Sequence, residues 1–397
     1  MIPTGLAVGL SSLLLCSGTA SALVWNTFDG PGSPACHNVS RVHNATSVED
    51  MQSVVKSAIQ SKSLVRAAGK GHMWYDTQCS DDSTIIIRTA NVAGIYDFSL
   101  PEGAPHGSVL VDAGVTFFQL AEYLHDRGAS VGYTLTNWNI SFGGSVAMGA
   151  HRSSIREDSM VAAGVLAMDI IDGKGEIRKV KRNESDDDWL AASTSLGLLG
   201  IIARIKLKIY PDSKVYAKQN TFDEKEILEG DIYGMIAPYA TANLWWWPYK
   251  RKFHQRYYDW PVYGWNYDVL IGGLYPDQKA QWDYGLRAYT LELAFPVTMA
   301  NAVLKRARGL FDEELKRGII MTSTYRSGIN IKFGRHYFDF LGQQTYNTSD
   351  GVDWSKGTIM SKKHLDPNYL ARFKAVRQKF DPNGIYRNVI GEILEMY

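Results

Sequence analysis

The chain has 397 residues, of which 45% are hydrophobic and 21% charged, with 42 Lys and Arg against 41 Asp and Glu. Those values fit an ordinary soluble globular protein of two or three domains and exclude a disordered, collagen-like or disulfide-dense chain. A net charge of +1 excludes broad electrostatic binding to nucleic acid or to an acidic membrane surface.

Leu6 to Cys16 is an apolar run followed by small residues ending Ala20-Ser21-Ala22. It is too short to span a bilayer and carries an A-x-A cleavage pattern, though no basic residue precedes it, so residues 1–22 are expected to be a secretory signal peptide. No other stretch approaches membrane-spanning length. Loss of Cys16 leaves Cys36 and Cys79, which are expected to bridge in an oxidising compartment, the alternative being two buried thiols. Sequons at Asn38, Asn44, Asn139, Asn183 and Asn347 are candidate glycosylation sites and fit a secreted or lumenal location.

Thr46 and Glu49 suggest a capping box opening a helix through Val48, Met51, Val54, Val55 and Ile59. Leu64–Ala68, Ile85–Ile87 and Val109–Val111 read as short strands. Thr116–Arg127 reads as an amphipathic helix stopped by Gly128. Leu166–Ile171 and Glu176–Val180 flank Asp172-Gly173-Lys174-Gly175 as a hairpin, and Ile201–Tyr210 as a half-buried strand ended by Pro211. Asp186-Asp187-Asp188 reads as a solvated helix start and not a metal site, and His125 as structural; no Cys/His cluster has metal-ligand spacing. Composition shifts after Pro211: 14 of the 40 residues 245–284 are aromatic, against 12% overall. This block, with Trp245-Trp246-Trp247, packs a sheet, walls a pocket, or does both from opposite faces. Pro367–Phe380 reads as a helix and Asp381-Pro382-Asn383-Gly384 as a turn.

Two glycine segments could carry chemistry. Gly69-Lys70-Gly71-His72-Met73 follows a strand, and Phe142-Gly143-Gly144-Ser145-Val146-Ala147-Met148-Gly149-Ala150-His151 reads as a second glycine loop. Glycine lets backbone N–H groups approach a phosphate. Neither the GxGxxG nor the GxxxxGK[ST] spacing is present, so a nicotinamide or triphosphate site is not supported.

With those segments in view, the chain resembles the vanillyl-alcohol-oxidase-type flavoproteins, and most closely the aldonolactone oxidase branch. Gly69-Lys70-Gly71-His72-Met73-Trp74-Tyr75-Asp76-Thr77-Gln78-Cys79 is similar to that branch's G-x-G-H-S-x-x-D-x-x-C, lacking only the Ser. Val109–Gly114, Ser195–Ile202, Trp246-Trp247-Pro248-Tyr249 and Asp381–Asn388 resemble further family segments, in the family's order. The resemblance implies an α+β fold: a PCMH-type two-subdomain FAD-binding domain at 23–211, an α+β substrate (cap) domain at 212–352, and a C-terminal segment, 353–397, returning to the flavin domain. It implies FAD, bonded covalently through His72, with Ala68, Gly69, Lys70, Gly71, Met73, Ala113, Gly143, Gly144, Ser145, Gly149, His151 and Ile202 around the cofactor.

Two departures bear on substrate. The branch's H-W-x-K reads Asp353-Trp354-Ser355-Lys356 here, which keeps a Lys to stabilise charge on the ring but replaces His by Asp. Its E-x-R pair aligns with Thr324-Tyr325-Arg326, so the basic carboxylate is gone and Asp353, Tyr325 or His336 is left to take a proton. Lys356, Arg326, Asp353 and Tyr325 are therefore the candidate catalytic residues. The expected function is a secreted FAD-linked oxidoreductase of a small-molecule alcohol or related donor, in secondary metabolism, with O2 as acceptor. The alternatives are a sugar-lactone or alditol oxidase, a redox-silent cyclase or isomerase, and a flavin-free binding glycoprotein.

Overall fold

A computed structural model describes residues 23–26, 35–73, 76, 79, 83–135, 138–255, 262–271, 295–319, 328–335, 340–341 and 365–397. Its architecture is α+β, with two sheets before residue 212 and two after it. The signal segment lies outside the described residues.

The first sheet runs in the order Leu23–Asn26, Ala35–Asn44, Thr84–Arg88, Leu64–Ala68. Thr84–Arg88 is its centre and pairs parallel with both neighbours. Val65, Ile85 and Ile87 bury one face against Val48, Met51, Val54, Val55 and Ala58 of the helix Val48–Ser61. Alternation sends Ile86 to the other face, with Val39 and Cys36. The cap of that helix is one residue later than expected. Ser47 accepts the Asp50 N–H at 3.1 Å, and the Asp50 carboxylate accepts the Thr46 N–H at 2.9 Å.

The second sheet orders Ile95–Ser99, Gly107–Asp112, Ile201–Pro211, Val165–Ile171 and Ile177–Lys181, all antiparallel. The expected hairpin is present, Ile171 pairing with Ile177. Thr116 caps the helix Phe117–His125 in a box with Gln119, and the chain leaves at Gly128 with φ of +65°. Asp186 caps Asp187–Ala192. Among the described residues no group of His, Cys, Asp or Glu could hold a metal ion. His125 Nδ1 lies 3.2 Å from Asp212 and its ring stacks on Tyr267, a structural setting.

The C-terminal helix Pro367–Phe380 buries Phe373, Val376 and Phe380 in the same core as Val109, Leu120, Trp189 and Ile205. Asp381 then fastens the turn that follows by accepting the N–H groups of Ile385 and Tyr386, each at 3.0 Å. Burial raises the Asp381 carboxyl pKa against the pull of those donors and of Arg377.

The later residues form a pair, Lys214–Ala217 with Val262–Trp265, and a sheet ordered Asn220–Asp223, Lys252–Gln255, Asn243–Trp247, Ile329–Lys332. The helix Ala300–Lys316 packs on that sheet through Ala300 and Leu304. No helix among the described residues is long and apolar enough to cross a membrane.

Candidate functional site

The two glycine segments meet. Ala68 ends its strand by accepting the Thr89 N–H at 2.8 Å, and the chain then turns out of the sheet through Gly69, Lys70 and Gly71. A Cβ at Gly69 would lie 2.0 Å from Ser141 Oγ and 2.9 Å from Ser141 Cβ, so only glycine lets the two backbones come this close. Gly71 holds φ of +78°, the left-handed region that glycine adopts without strain.

Ser141 is the N-cap of the helix Phe142–Ala147. The second glycine segment is therefore helical where a loop was expected. Tertiary contacts offset the poor helix propensity of Gly143 and Gly144. Phe142 N–H donates to Val115 O and Gly143 N–H to Ala113 O, both at 2.9 Å, while Ser145 Oγ donates to Ser141 O at 2.8 Å. A Cβ at Gly143 would sit 2.7 Å from the Ala113 Cβ, and one at Gly144 would have 3.5 Å of clearance. Ala113 in turn donates to Ala203 O at 2.9 Å, beside Ile202.

Ala68, Gly69, Gly143, Gly144, Ser145 and Ala113 thus belong to one contiguous wall. Lys70, Gly71, His72 and Met73 follow Gly69 and are each half-buried. Gly149, with φ of +70°, packs on Thr194 and Met160 instead, and makes the turn that carries the chain to His151. His151 is buried and its Nδ1–H donates to Arg152 O at 3.1 Å. Ile202 is buried in the adjacent strand.

The half-buried run Gly69–Met73 beside the exposed Gly144, with small residues throughout, leaves shallow surface that suits the diphosphate of a dinucleotide. The residues present therefore fit FAD: Gly69–His72 and Ser141–Gly144 would flank its diphosphate, and Ala113 its ring. Ser141 was not singled out in the sequence, although Ser before Phe-Gly-Gly is an N-cap pattern.

Cys36 and Cys79 are joined by a disulfide with Cα atoms 5.2 Å apart. Asn44 and Asn183 are exposed, and Asn38 and Asn139 are half-buried. Arg326, Tyr325, His336, Asp353, Lys356 and Asn347 all lie outside the described residues.

In the later sheet Trp246 is fully buried, stacked on Phe253 and edge-on to Phe311. Trp245 and Trp247 stand on the opposite face with stacked rings 5.9 Å apart, and Asn330 is opposite Trp245 in the register. Glu224 anchors this unit from inside. Its carboxylate accepts Trp246 Nε1–H at 2.7 Å, Arg308 Nη1 at 3.3 Å and Arg251 Nη1 at 3.2 Å. Ser153, two positions past His151, ties the two halves together: its Oγ accepts the Phe333 N–H at 2.8 Å and donates to Ala242 O.

Comparison with known proteins agrees with this geometry. The family model described as FAD binding domain matches residues 39–181. A D-arabinono-1,4-lactone oxidase from Kluyveromyces lactis is 25% identical over 206 residues, 52% of this chain and 38% of that protein. An L-gulonolactone oxidase from Bos taurus is 24% identical over 415 residues, covering 86% of this chain and 92% of that protein. The chain thus spans well under half the length of the arabinonolactone oxidases it matches. A cholesterol oxidase structure from Brevibacterium sterolicum superposes with a TM-score of 0.65 at 12% identity, covering 94% of this chain and 96% of that one. A VAO-type flavoprotein from Myceliophthora thermophila C1 gives 0.61 at 14%, covering 87% and 78%. The chain is thus similar to the aldonolactone oxidases, shares the fold of a vanillyl-alcohol-oxidase-type flavoprotein, and matches an FAD-binding domain over residues 39–181.

Proposed function

We propose that the protein is an FAD-linked oxidoreductase of the secretory route that oxidises a small-molecule alcohol or related donor and passes the electrons to O2. The observation that carries this reading is the apposition of Gly69 to Ser141 and of Gly143 to Ala113, inside the segment that matches an FAD-binding domain. Bound FAD would supply hydride acceptance and deliver the electrons to O2 as hydrogen peroxide.

His72, on the segment leaving Gly69, would form the covalent bond to the flavin. Lys356 would balance charge at the ring edge, Arg326 would orient the donor, and Asp353 or Tyr325 would take the hydroxyl proton. These last assignments rest on sequence alone. The faced pair Trp245 and Trp247 supports a donor with a flat or ring-shaped apolar surface.

A second reading, oxidation of a sugar lactone or alditol, is favoured by the relatives, since those of both kinds above are named for lactone oxidation. Flavin fluorescence of the acid-treated protein on a denaturing gel, with His72→Ala beside it, tests the cofactor. A band in the wild type alone supports covalent FAD at His72, a yellow native protein without a band rejects the covalent link, and a colourless protein rejects the oxidoreductase. Peroxide release with D-arabinono-1,4-lactone against aromatic alcohols then separates the two substrate readings.

A further inference from the structure

We propose that Trp245, Trp247 and Asn330 form the subsite that holds the donor, and that the donor is a flat aromatic ring carrying an O–H or N–H group that Asn330 Oδ1 receives. The inference rests on the oxidoreductase reading above and deepens it by naming the substrate class.

Successive side chains of a strand point to opposite faces. In the sheet that holds Asn243–Trp247 and Ile329–Lys332, one face is closed. Leu244, Trp246 and Phe253 form a core there with Ala300 and Leu304, and Ile329 and Ile331 pack against it. The other face carries Trp245 and Trp247 on one strand and Asn330 and Lys332 on the next, with Trp245 paired to Asn330 and Asn243 to Lys332. Trp245, Trp247 and Asn330 are each half-buried. This face has an aromatic end and a polar end, and Asn330 stands at the boundary.

The aromatic end is shaped for its indoles. The rings of Trp245 and Trp247 stack at 28° with centroids 5.9 Å apart. Gly328 holds φ of +101°, and a Cβ there would lie 3.0 Å from Trp247 Cε2, so the Trp247 ring takes the space that a side chain at 328 would fill. A further aromatic ring adds to such a stack, offset or edge-on. Asn330 supplies the polar half. Its Oδ1 is shut off from solvent and accepts no hydrogen bond. Native proteins leave few buried polar atoms in that condition. A site built round such an acceptor favours the ligand that brings the missing donor over one that lacks it. Cross-strand partners such as Trp245 and Asn330 stand about 5 Å apart at Cβ, so one small molecule can meet both. A polyhydroxylated ring suits the place poorly, because each hydroxyl buried against indole without a partner costs binding.

The polar end of the face adjoins the flavin side. Ala242 and Phe333, next to Asn243 and Lys332, are both tied to Ser153, two positions past His151. Ser153 Oγ accepts the Phe333 N–H at 2.8 Å and donates to Ala242 O, and the Ser154 N–H donates to Phe333 O at 2.7 Å. The subsite is thereby fastened to the segment that continues from the glycine wall.

The test uses the full chain as purified and two probes of one shape, phenol and toluene, neither of which is an alcohol that the flavin would oxidise. Dissociation constants are read by saturation-transfer NMR for the wild type, Asn330→Leu and Trp245→Ala. The wild type should bind phenol about tenfold more tightly than toluene. Asn330→Leu, which keeps the size of the side chain, should erase that preference. Trp245→Ala should weaken both probes about tenfold. Should Asn330→Leu not fold, the wild-type ratio decides the hydrogen bond and Trp245→Ala its place. Equal binding of the two probes to the wild type, a preference kept in Asn330→Leu, or undiminished binding in Trp245→Ala would each overturn the proposal. So would displacement of phenol by D-arabinono-1,4-lactone at a lower concentration than benzyl alcohol requires. A yellow protein without a preference for phenol rejects the subsite alone, whereas a colourless protein rejects the oxidoreductase reading and with it the donor role.

Discussion

Two parts of this molecule bring distant segments together by opposite means. On the flavin side the means is the absence of side chains. Gly69 lies on Ser141, Gly143 on Ala113, and at Gly200 a Cβ would fall 2.3 Å from Ile171 O. In the later sheet the means is a buried charged group. Glu224, itself only 6% exposed, gathers Trp246, Arg251 and Arg308. The contrast has a consequence for function. Bare backbone leaves shallow surface where a cofactor can lie, whereas an ion network fills its own space and serves to hold Trp246, and with it the strand that presents Trp245 and Trp247. The first arrangement is broken by adding one carbon, the second by removing one carboxylate.

The largest effect is expected from Glu224→Ala. It leaves the Arg308 guanidinium buried with Asp312 as its remaining carboxylate and strips Trp246 of its acceptor. Breaking a buried pair from one side destabilises by about 3–5 kcal/mol. Denaturant unfolding followed by tryptophan fluorescence should show that loss, with Glu224→Gln losing distinctly less because it still accepts from Trp246. If both variants unfold like the wild type, the network does not anchor the sheet. Gly200→Ala should follow on the flavin side. Its φ of +146° is nearly closed to other residues, and the added carbon would meet the Ile171 carbonyl, so about 3 kcal/mol is expected from strain and overpacking together. Here the flavin content should fall with stability, while Glu224→Ala should leave flavin binding to the folded fraction intact. Equal flavin loss in both would mean that the two regions are not separable in the way described.

The same contrast explains how far the sequence could be read. Strands such as Leu64–Ala68 and the Val165–Lys181 hairpin are marked locally, by apolar runs between glycine turns, and the structure has them. Glycine contacts are also partly legible, because a glycine that is present for close approach is visible as a glycine. Its partner is not, which is why nothing in the sequence marks Ser141 as that partner and why Phe142–Ala147 reads as a loop. Gly143 and Gly144 speak against a helix, and the bond from Gly143 to Ala113 decides for one. At the first helix, Thr46 and Ser47 both satisfy the cap pattern, and it is the reach of Ser47 to the Asp50 N–H that settles the choice. The network around Glu224 had no local mark at all, since its members are ordinary surface residue types brought together only by the fold. Trp245–Trp247 falls between the two cases: alternation foretold opposite faces, and Trp246 took the buried one.

A smaller effect should follow from Tyr386→Phe, beside the turn that Asp381 fastens. The buried Tyr386 hydroxyl donates to Ile171 O at 3.0 Å, and burial holds its pKa well above the ordinary phenol value, so it remains a donor across the working pH range. Losing that bond should cost about 1 kcal/mol, because the Ile171 carbonyl belongs to a fully buried strand end. Thermal unfolding that matched the wild type would mean that the hydroxyl is idle and that the turn is held by Asp381 alone.

The smallest expected effect is at the first helix, and it carries a pH signature. The Thr46 N–H, and then the His43 ring, hold the Asp50 carboxyl below its ordinary value of 3.8. A carboxyl with a lowered folded-state pKa adds stability that is fully present above the unfolded value and is lost as pH falls through the lowered one. The window is therefore below pH 3.8, not near neutrality. Because the Asp50 side chain is 28% exposed, solvent screening keeps the contribution to a few tenths of a kcal/mol, roughly that of an exposed ion pair. Asp50→Asn should leave stability at pH 7 lower by about that amount and flatten the acid limb of the stability curve by the same amount. Ser47→Ala should lower stability by about 1 kcal/mol at every pH, since a hydroxyl cap does not titrate. If Asp50→Asn instead changes nothing on the acid limb, the helix is fastened by the Ser47 cap and its buried face alone, and the Thr46–Asp50 contact adds no measurable stability.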